Sequence, residues 1–192
     1  MFKKFAIEGP LLFTPKKFDD HRGFFSETYN SKLFRDEGIF VDFVQDNQSL
    51  SVDKGTVRGL HFQAPPYEQA KLVRAVRGSI LDVAVDIRIG SKTFGKHVAV
   101  RISAEEWNQL YVPAGFAHGF ITLERNTEIH YKVSNYYAPE HDYGILWNDP
   151  KLEIDWGEDL GETTVSEKDL HQPLLEEILS PFVIDSLQDG SR

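Results

Sequence analysis

The sequence predicts a mostly β protein, a sandwich or jelly roll of short strands with short flanking helices. Up to about residue 137, segments rich in Val, Ile, Phe and Tyr alternate with clusters of Gly, Asp and Pro. Residues 81–87 follow the two-residue period of a strand, with Asp82, Ala84 and Asp86 at the even positions and apolar side chains between them. The chain is 41% hydrophobic and includes 14 Phe, which is enough to build a sizeable core.

Length and composition limit what the chain can be. Its 192 residues are expected to form one domain over residues 1–185, with a polar tail over residues 186–192. The absence of cysteine excludes disulfides, zinc–thiolate sites and a cysteine nucleophile, and it suits a cytoplasmic protein. We expect no signal peptide and no membrane partner. The net charge of −9 argues against nucleic acid as a partner, so any phosphate must be held by a few focused cations.

The first third of the chain is predicted to contain strands and one short helix. Asn30 or Ser31 can cap a helix that runs through Leu33 and Phe34 and ends at Gly38. The predicted strands are 6–7 with 11–13, then 24–29 and 41–47, separated by turns at 19–23 and 51–55.

The middle of the chain contains the stretch around which the rest is organised, residues 56–74. It is predicted to be a strand, a proline-rich loop and a second strand, with His61 near the end of the first. The pattern of residues 72–87 predicts a hairpin that turns at residues 77–79. Further strands are predicted at 97–102, 109–112, 118–123 and 128–136.

The amino-acid composition of the chain changes after residue 137. Residues 138–165 are rich in Asp, Gly and Pro, and Leu152 is one of their apolar anchors. Ser166 is a good N-cap for a short helix, which Pro173 would interrupt.

His61 is a candidate general base. It lies between two cationic side chains, Arg58 and Lys71, and nearby positive charge favours a neutral imidazole that can accept a proton. The alternative, that His61 is a half-buried strand residue, is about equally consistent with these residues alone. Strict alternation would put Arg58 and His61 on opposite faces of the strand, unless a bulge at Gly59 brings them together.

The spacing Pro113-x-Gly115-x-x-His118 matches the second cupin motif, which supplies one metal ligand in cupins. The first cupin motif would need a pair of histidines and a carboxylate to complete a metal site. The corresponding place is His61-Phe62-Gln63, which has only one histidine. We therefore expect no metal and no cofactor.

Seven short motifs, in order, together resemble one family, the nucleotide-sugar 3,5-epimerases typified by dTDP-4-dehydrorhamnose 3,5-epimerase. The resemblance extends from about residue 5 to about residue 175. The motifs are Asp20-x-Arg22-Gly23-x-Phe25, residues 43–47, Arg58-Gly59-Leu60-His61, residues 71–74, residues 116–120, Tyr131-Lys132 and Ser166-x-Lys168-Asp169.

The resemblance implies a fold and a set of catalytic roles. The fold would be a cupin-type jelly roll, and the enzyme would use no cofactor. His61 would be the base, oriented by Asp169, and Tyr131 would be the acid on the opposite face of the sugar. Lys71 would stabilise the oxyanion that forms at the 4-keto oxygen.

The resemblance also implies a substrate-binding set. His118 would line the sugar site, and Arg22, Arg58 and Lys168 would hold the diphosphate. Asp142 falls where family members often carry a glutamate near the nucleotide. The nucleotide end would be contacted by Glu27, Gln45, Asp46 and Asn47, from this subunit or from a partner subunit.

Each of these residues also has a purely structural interpretation. Asp169 alone would be a helix-cap partner, and Tyr131 alone would pack in a hairpin. Tyr137, Trp147 and Trp156 could stack on a base but are more often core residues.

The resemblance predicts epimerisation of a dTDP-4-keto-6-deoxyhexose at C3 and C5 by a homodimer, as in L-rhamnose precursor synthesis. One alternative is an epimerase that inverts only one carbon or acts on another nucleotide sugar. Alternatives of a different class are a metal-dependent cupin oxygenase and a cupin that only binds sugar.

Overall fold

The computed structural model describes residues 1–157 and 162–184, and it confirms the mostly β prediction. The predicted tail, residues 186–192, lies outside the described residues. The strands are β1 (Phe2–Lys4), β2 (Leu11–Phe13), β3 (Phe18–Asp20), β4 (Gly23–Phe25), β5 (Gln45–Ser51), β6 (Val57–Gln63), β7 (Lys71–Arg77), β8 (Ser79–Asp86), β9 (His97–Ser103), β10 (Gln109–Val112), β11 (Phe116–Thr122), β12 (Thr127–Val133) and β13 (Asp142–Gly144). The helices are α1 (Ser31–Asp36) and α2 (Glu167–Leu170), with 3₁₀ turns at Pro139–His141, Pro150–Leu152 and Leu175–Glu177.

The strands form two antiparallel sheets that pack face to face, as in a sandwich. The six-stranded sheet has the order β1-β2-β10-β7-β12-β5, and the five-stranded sheet has the order β13-β6-β11-β8-β9. Their facing sides share a core that includes Val73 and Ile129 from the first sheet and Ile80 and Phe120 from the second. The remaining two strands, β3 and β4, form a separate hairpin.

Each sheet is also covered on its outer side. On the six-stranded sheet, α1 inserts Phe34 against Leu11, Phe13 and Tyr111. Of the two residues predicted as possible caps, Asn30 is the cap: its side chain accepts the backbone N–H of Lys32 at 3.1 Å.

The segment after β13 covers the outer side of the five-stranded sheet. Trp147 and Trp156 pack against each other there, with ring centroids 5.8 Å apart; Trp156 is a buried core residue, and Trp147 is half-buried against the same core. None of the helices in the described part of the chain is long and apolar enough to cross a membrane.

The predicted hairpin over residues 72–87 is wrong. The chain does turn at Gly78, which has a φ of 71°, but β7 and β8 belong to different sheets. β7 pairs with β10 and β12, whereas β8 pairs with β9 and β11. Because both faces of β8 are buried, its periodicity identifies a strand but not the strand's neighbours.

Several strand boundaries also differ from the prediction. The strand predicted at 41–47 is β5, which begins at Gln45 and runs to Ser51. It is an edge strand whose residues are mostly polar and are mostly alternately half-buried and exposed. It therefore lacks the hydrophobic periodicity from which strands are predicted. The predicted strands 6–7 and 24–29 are replaced by β1 and the short β4.

Candidate active site

A cleft opens between the two sheets. Its larger part has a volume of about 470 Å³ and is lined by residues of both sheets and of α2. An adjoining part of about 370 Å³ shares His61, Lys71 and Tyr131 with the first. These three side chains therefore stand at the junction of two compartments, where one elongated ligand could contact all of them.

A bulge in β6 brings Arg58 and His61 to the same cleft. His61 is in register with His118 and Arg58 with Phe120, so β6 has one more residue than β11 over this interval. Gly59 has a φ of 124°, and a Cβ atom there would lie 2.5 Å from the Cα of Gly119. The bulge at Gly59, which was one of the alternatives left open by the sequence, is present, and it depends on close packing that only glycine allows.

His61 and Asp169 form a hydrogen-bonded pair. The Nε2 atom of His61 lies 2.6 Å from Oδ1 of Asp169, and Oδ2 of Asp169 accepts the backbone N–H of Gly59 at 3.2 Å. Ser166 caps α2 by accepting the N–H of Asp169 at 3.1 Å, which fixes the aspartate at the first turn. Burial opposes ionisation of Asp169, but the hydrogen bonds from His61, Gly59 and Ser166 outweigh it and hold the pKa below its usual value.

Lys71 is half-buried and lines both parts of the cleft. Its Nζ donates a long hydrogen bond of 3.4 Å to the backbone oxygen of His61. Burial lowers the pKa of Lys71 to about 8, although Asp142 and Asp82 favour its charged form. A lysine in this state carries a positive charge at neutral pH and can stabilise negative charge that develops in the cleft.

His118 forms a second histidine–aspartate pair. Its Nε2 lies 2.6 Å from Oδ1 of Asp82, and both side chains are buried. Burial lowers the pKa of His118 below its usual value, with Asp82 opposing that shift. His118 lines the same part of the cleft as His61.

Tyr131 enters the cleft from the other sheet. It lies on β12, whereas His61 lies on β6. Burial raises the pKa of the Tyr131 hydroxyl above its usual value, so the hydroxyl keeps its proton at neutral pH. A histidine that can accept a proton and a tyrosine that can donate one therefore approach the cleft from different sheets.

The other predicted binding residues divide into three groups, of which two line the cleft and one does not. Arg58 and Lys168 line the larger part of the cleft, where they can meet a diphosphate. Gln45 and Asn47 line the smaller part with Asp142. Lys168 donates to Oδ2 of Asp142 at 2.6 Å, and this hydrogen bond raises the pKa of Lys168.

Asp46, Arg22 and Glu27 are not brought to the cleft within this chain. Asp46 alternates with Gln45 and Asn47 on β5, so its side chain points outwards and pairs with Lys132 at 2.8 Å. Arg22 is exposed in the turn between β3 and β4, where it pairs with Asp20 at 2.6 Å. Glu27 is also exposed.

Several cleft residues were not among the predicted site residues, and three of them have large polar side chains. Gln63, Gln69 and Tyr137 line the smaller part of the cleft. Tyr137 is exposed, not a core residue, and its hydroxyl donates to Asp142 at 3.1 Å. The sequence showed only that Tyr137 follows the last predicted strand. An aromatic residue at that position could equally have packed in the core, so its place in the cleft could not be predicted.

The donor set of the cleft does not suit a cupin metal site. Gln63, where the second histidine of the first cupin motif would stand, donates to the backbone oxygens of Tyr67 and Tyr136 at 2.6 and 3.1 Å. Its Oε1 accepts the N–H of Ala138 at 2.8 Å. Within residues 1–157 and 162–184, no group of three or more His, Asp or Glu side chains is placed to hold a metal ion.

A β-sandwich whose cleft combines a histidine–aspartate pair, a half-buried lysine and a facing tyrosine is a cupin-type site for acid–base chemistry. The family model described as dTDP-4-dehydrorhamnose 3,5-epimerase matches residues 4–177. The chain belongs to this family and is an isomerase of the epimerase type.

Relatives and solved structures agree with this assignment. A dTDP-4-dehydrorhamnose 3,5-epimerase of Sinorhizobium fredii is 51% identical over 181 residues, which cover 94% of this chain and 92% of the relative. A crystal structure of the Legionella pneumophila dTDP-6-deoxy-D-glucose-3,5-epimerase in complex with dTDP-4-keto-L-rhamnose has a TM-score of 0.88 and 43% identity, covering 93% and 94% of the two chains. A 3′-monoepimerase of Streptomyces bikiniensis in complex with dTDP-quinovose has a TM-score of 0.83 and 36% identity, covering 90% and 86%.

Proposed function

We propose that this protein inverts C3 and C5 of the sugar in a dTDP-4-keto-6-deoxyhexose, the step that leads to the L-rhamnose precursor. The observation that carries the proposal is the placement of His61 and Tyr131 on different sheets, with Lys71 at the junction between them. Inversion at carbon requires that a proton leave one face and return to the other, so two different groups are needed.

The chemistry is balanced and consumes no co-reactant. The Nε2 atom of His61 is bonded to Asp169, which leaves Nδ1 to take the proton from the carbon next to the ketone. The electron pair of the broken C–H bond moves to the 4-keto oxygen, where the Lys71 ammonium stabilises the enolate. Tyr131 then donates its proton to the opposite face of the same carbon.

After each inversion the two groups must be reset. Solvent removes the proton from His61 and returns one to Tyr131, so the enzyme ends unchanged. A second cycle at the other carbon gives the doubly inverted product. Asp169 supports both cycles, because a buried carboxylate orients the imidazole and stabilises its charged form.

The nucleotide diphosphate is proposed to bind Arg58 and Lys168 in the larger part of the cleft, with Gln45, Asn47 and Asp142 at the nucleotide end. We propose that Arg22 and Glu27 reach the cleft of a second copy, so that the active enzyme is a homodimer. The exposed Phe24 and Phe25 beside Arg22 support this arrangement. Neither edge of β2 (Leu11–Phe13) is free to pair with a strand of the second copy, because β2 already pairs with β1 and β10.

The absence of cysteine is compatible with the reducing cytoplasm, which we propose as the location of the protein.

The proposed reaction is tested by incubating the purified protein with dTDP-4-keto-6-deoxyglucose in D₂O and following the sugar by NMR. Deuterium at both C3 and C5 with inverted configuration supports the proposal. Deuterium and inversion at one carbon alone would identify a mono-epimerase, and exchange at neither carbon would contradict the proposal.

A further inference from the structure

Asp82 is a buried carboxylate with an unused oxygen. It lies on β8, it is 0% exposed, and its Oδ1 is bonded to His118. Its other oxygen, Oδ2, is also buried and accepts no hydrogen bond from the described residues. Such an atom loses its hydration without replacement, so it is stabilised only if positive charge lies nearby.

Lys71 is the cation that can supply this charge. Within the described part of the chain, the hydrogen bond recorded for its Nζ goes to a neutral backbone oxygen. Two carboxylates, Asp142 and Asp82, favour its charged form. Asp142 already has a cationic partner, because its Oδ2 accepts hydrogen bonds from Lys168 and Tyr137, and its side chain is partly exposed to solvent. Asp82 is fully buried, and its Oδ2 has no partner among the described residues.

The polar surroundings of Lys71 come from several elements. The titratable groups that face it are His61 on β6, Asp82 on β8, His118 on β11, Tyr131 on β12, and Asp142 on β13, which is paired with Lys168 of α2. One carboxylate oxygen of Asp82, Oδ1, is already hydrogen-bonded to His118, so part of its negative charge is used there and not at Lys71.

We propose that Asp82 is a positioning residue whose buried charge keeps Lys71 cationic in the cleft, while its Oδ1 holds His118. Its effect on turnover rests on the proposed function, because it acts on the lysine that is to stabilise the enolate. Its effect on Lys71 itself can be measured without any reaction taking place.

The direct test is the pH dependence of acylation of Lys71, measured by mass spectrometry after competitive labelling of the whole protein. In the wild-type chain we expect a midpoint near 8. In Asp82→Asn the midpoint should move to lower pH, because the anion that stabilises the ammonium has been removed. An unchanged midpoint, or one at higher pH, would overturn the proposal.

Asp86→Asn is the matched control. Asp86 is equally buried on the same face of β8, but it is bound by Arg88 at 2.7 Å, away from the cleft. The midpoint of Lys71 labelling should be the same in this variant as in the wild type. Circular dichroism of each variant shows whether it is folded before it is labelled.

A second variant should move the labelling midpoint of Lys71 in the opposite direction, and it is informative even if Asp82→Asn does not fold. In His118→Asn the carboxylate of Asp82 loses the imidazole that holds Oδ1, so more of its charge acts on Lys71. The labelling midpoint should then move to higher pH. A midpoint that stays or falls in this variant would also overturn the proposal.

Measurements of turnover show whether a failed result contradicts this inference or the proposed function. If the wild-type protein exchanges no deuterium, the function is wrong, whatever the labelling shows. If the wild type is active, the alkaline limb of kcat in Asp82→Asn should lie at lower pH than in the wild type, with KM at neutral pH unchanged. An active Asp82→Asn variant with the wild-type pH profile would contradict the positioning role alone.

Discussion

Asp169 holds His61 through a 2.6 Å hydrogen bond that joins helix α2 to a strand 108 residues earlier in the chain. The aspartate is 3% exposed, and its second oxygen is bound by the backbone of Gly59, two residues before His61. Both the position and the ring orientation of His61 are therefore fixed from one side. This leaves the rest of the imidazole available to the cleft.

Replacing His61 by Ala or Asn should abolish epimerisation without unfolding the protein, because the His61 side chain is 30% exposed and contributes little to the core. Asp169→Asn should reduce turnover severely, since the neutral amide cannot stabilise a charged imidazole. Turnover and circular dichroism are measured together. His171→Asn, at the exposed end of the same helix, serves as the control, and near-normal turnover in the His61 variants would place the base elsewhere.

Lys71→Ala should lower kcat by about 10²–10³-fold, the scale for loss of one group that stabilises an oxyanion. The wild-type rate should also fall as the pH rises through about 8, because the pKa of Lys71 is lowered to about 8 and only the protonated lysine is effective. The pH profile of Lys71→Arg should lack this decline, since a guanidinium stays charged. A normal kcat with only a raised KM in Lys71→Ala would make Lys71 a binding residue.

Treatment with EDTA followed by gel filtration should leave the rate unchanged, because the amide of Gln63 is already bonded to the backbone where a second cupin histidine would stand. The measurement is the epimerisation rate before and after chelation. Loss of activity with EDTA, followed by recovery on addition of iron or manganese, would favour the metal-dependent oxygenase alternative.

Mixing an inactive variant with one that binds substrate weakly tests whether Arg22 acts on the cleft of a partner. Arg22→Ala should mainly raise KM, because the diphosphate is far from the reacting carbons. If Arg22 serves the partner's cleft, a mixed dimer of Arg22→Ala and His61→Ala contains one complete site, and activity at low substrate concentration is restored after subunit exchange. The absence of any gain on mixing, in a sample shown by light scattering to be dimeric, would place Arg22 in its own subunit's function or outside the site.

The sequence contained enough information to predict the sandwich and most of the cleft. His61, Lys71, Tyr131 and Asp169 come together as the resemblance implied. Whether Arg58 and His61 share a face depended on a bulge at Gly59, which the alternation of residues could not decide and which the strand register shows. These residues lie on strands and caps with local signals, namely alternation, a proline-rich loop and a serine N-cap.

The features that were missed depend on contacts between distant parts of the chain. The partners of β7 and β8 could not be predicted, because strands buried on both faces carry no information about their neighbours. Asp82 resembled any other polar residue of an alternating strand until its pairing with His118 was visible. The outward direction of Asp46 follows from the register of β5, which the sequence placed too early.

The most direct test of the two-face mechanism is deuterium exchange by Tyr131→Phe in D₂O. His61 should still remove a proton, because Lys71 still stabilises the enolate, but Phe has no hydroxyl to return one on the opposite face. Tyr143→Phe is the control, since the Tyr143 hydroxyl contacts the backbone of Glu140 outside the cleft.

Tyr131→Phe is expected to incorporate deuterium next to the ketone with retained configuration, while the epimerised product falls sharply and Tyr143→Phe behaves as the wild type. Inversion of both carbons at the normal rate in Tyr131→Phe would make Tyr131 a packing residue. A complete absence of deuterium exchange in that variant would contradict the division of roles between His61 and Tyr131.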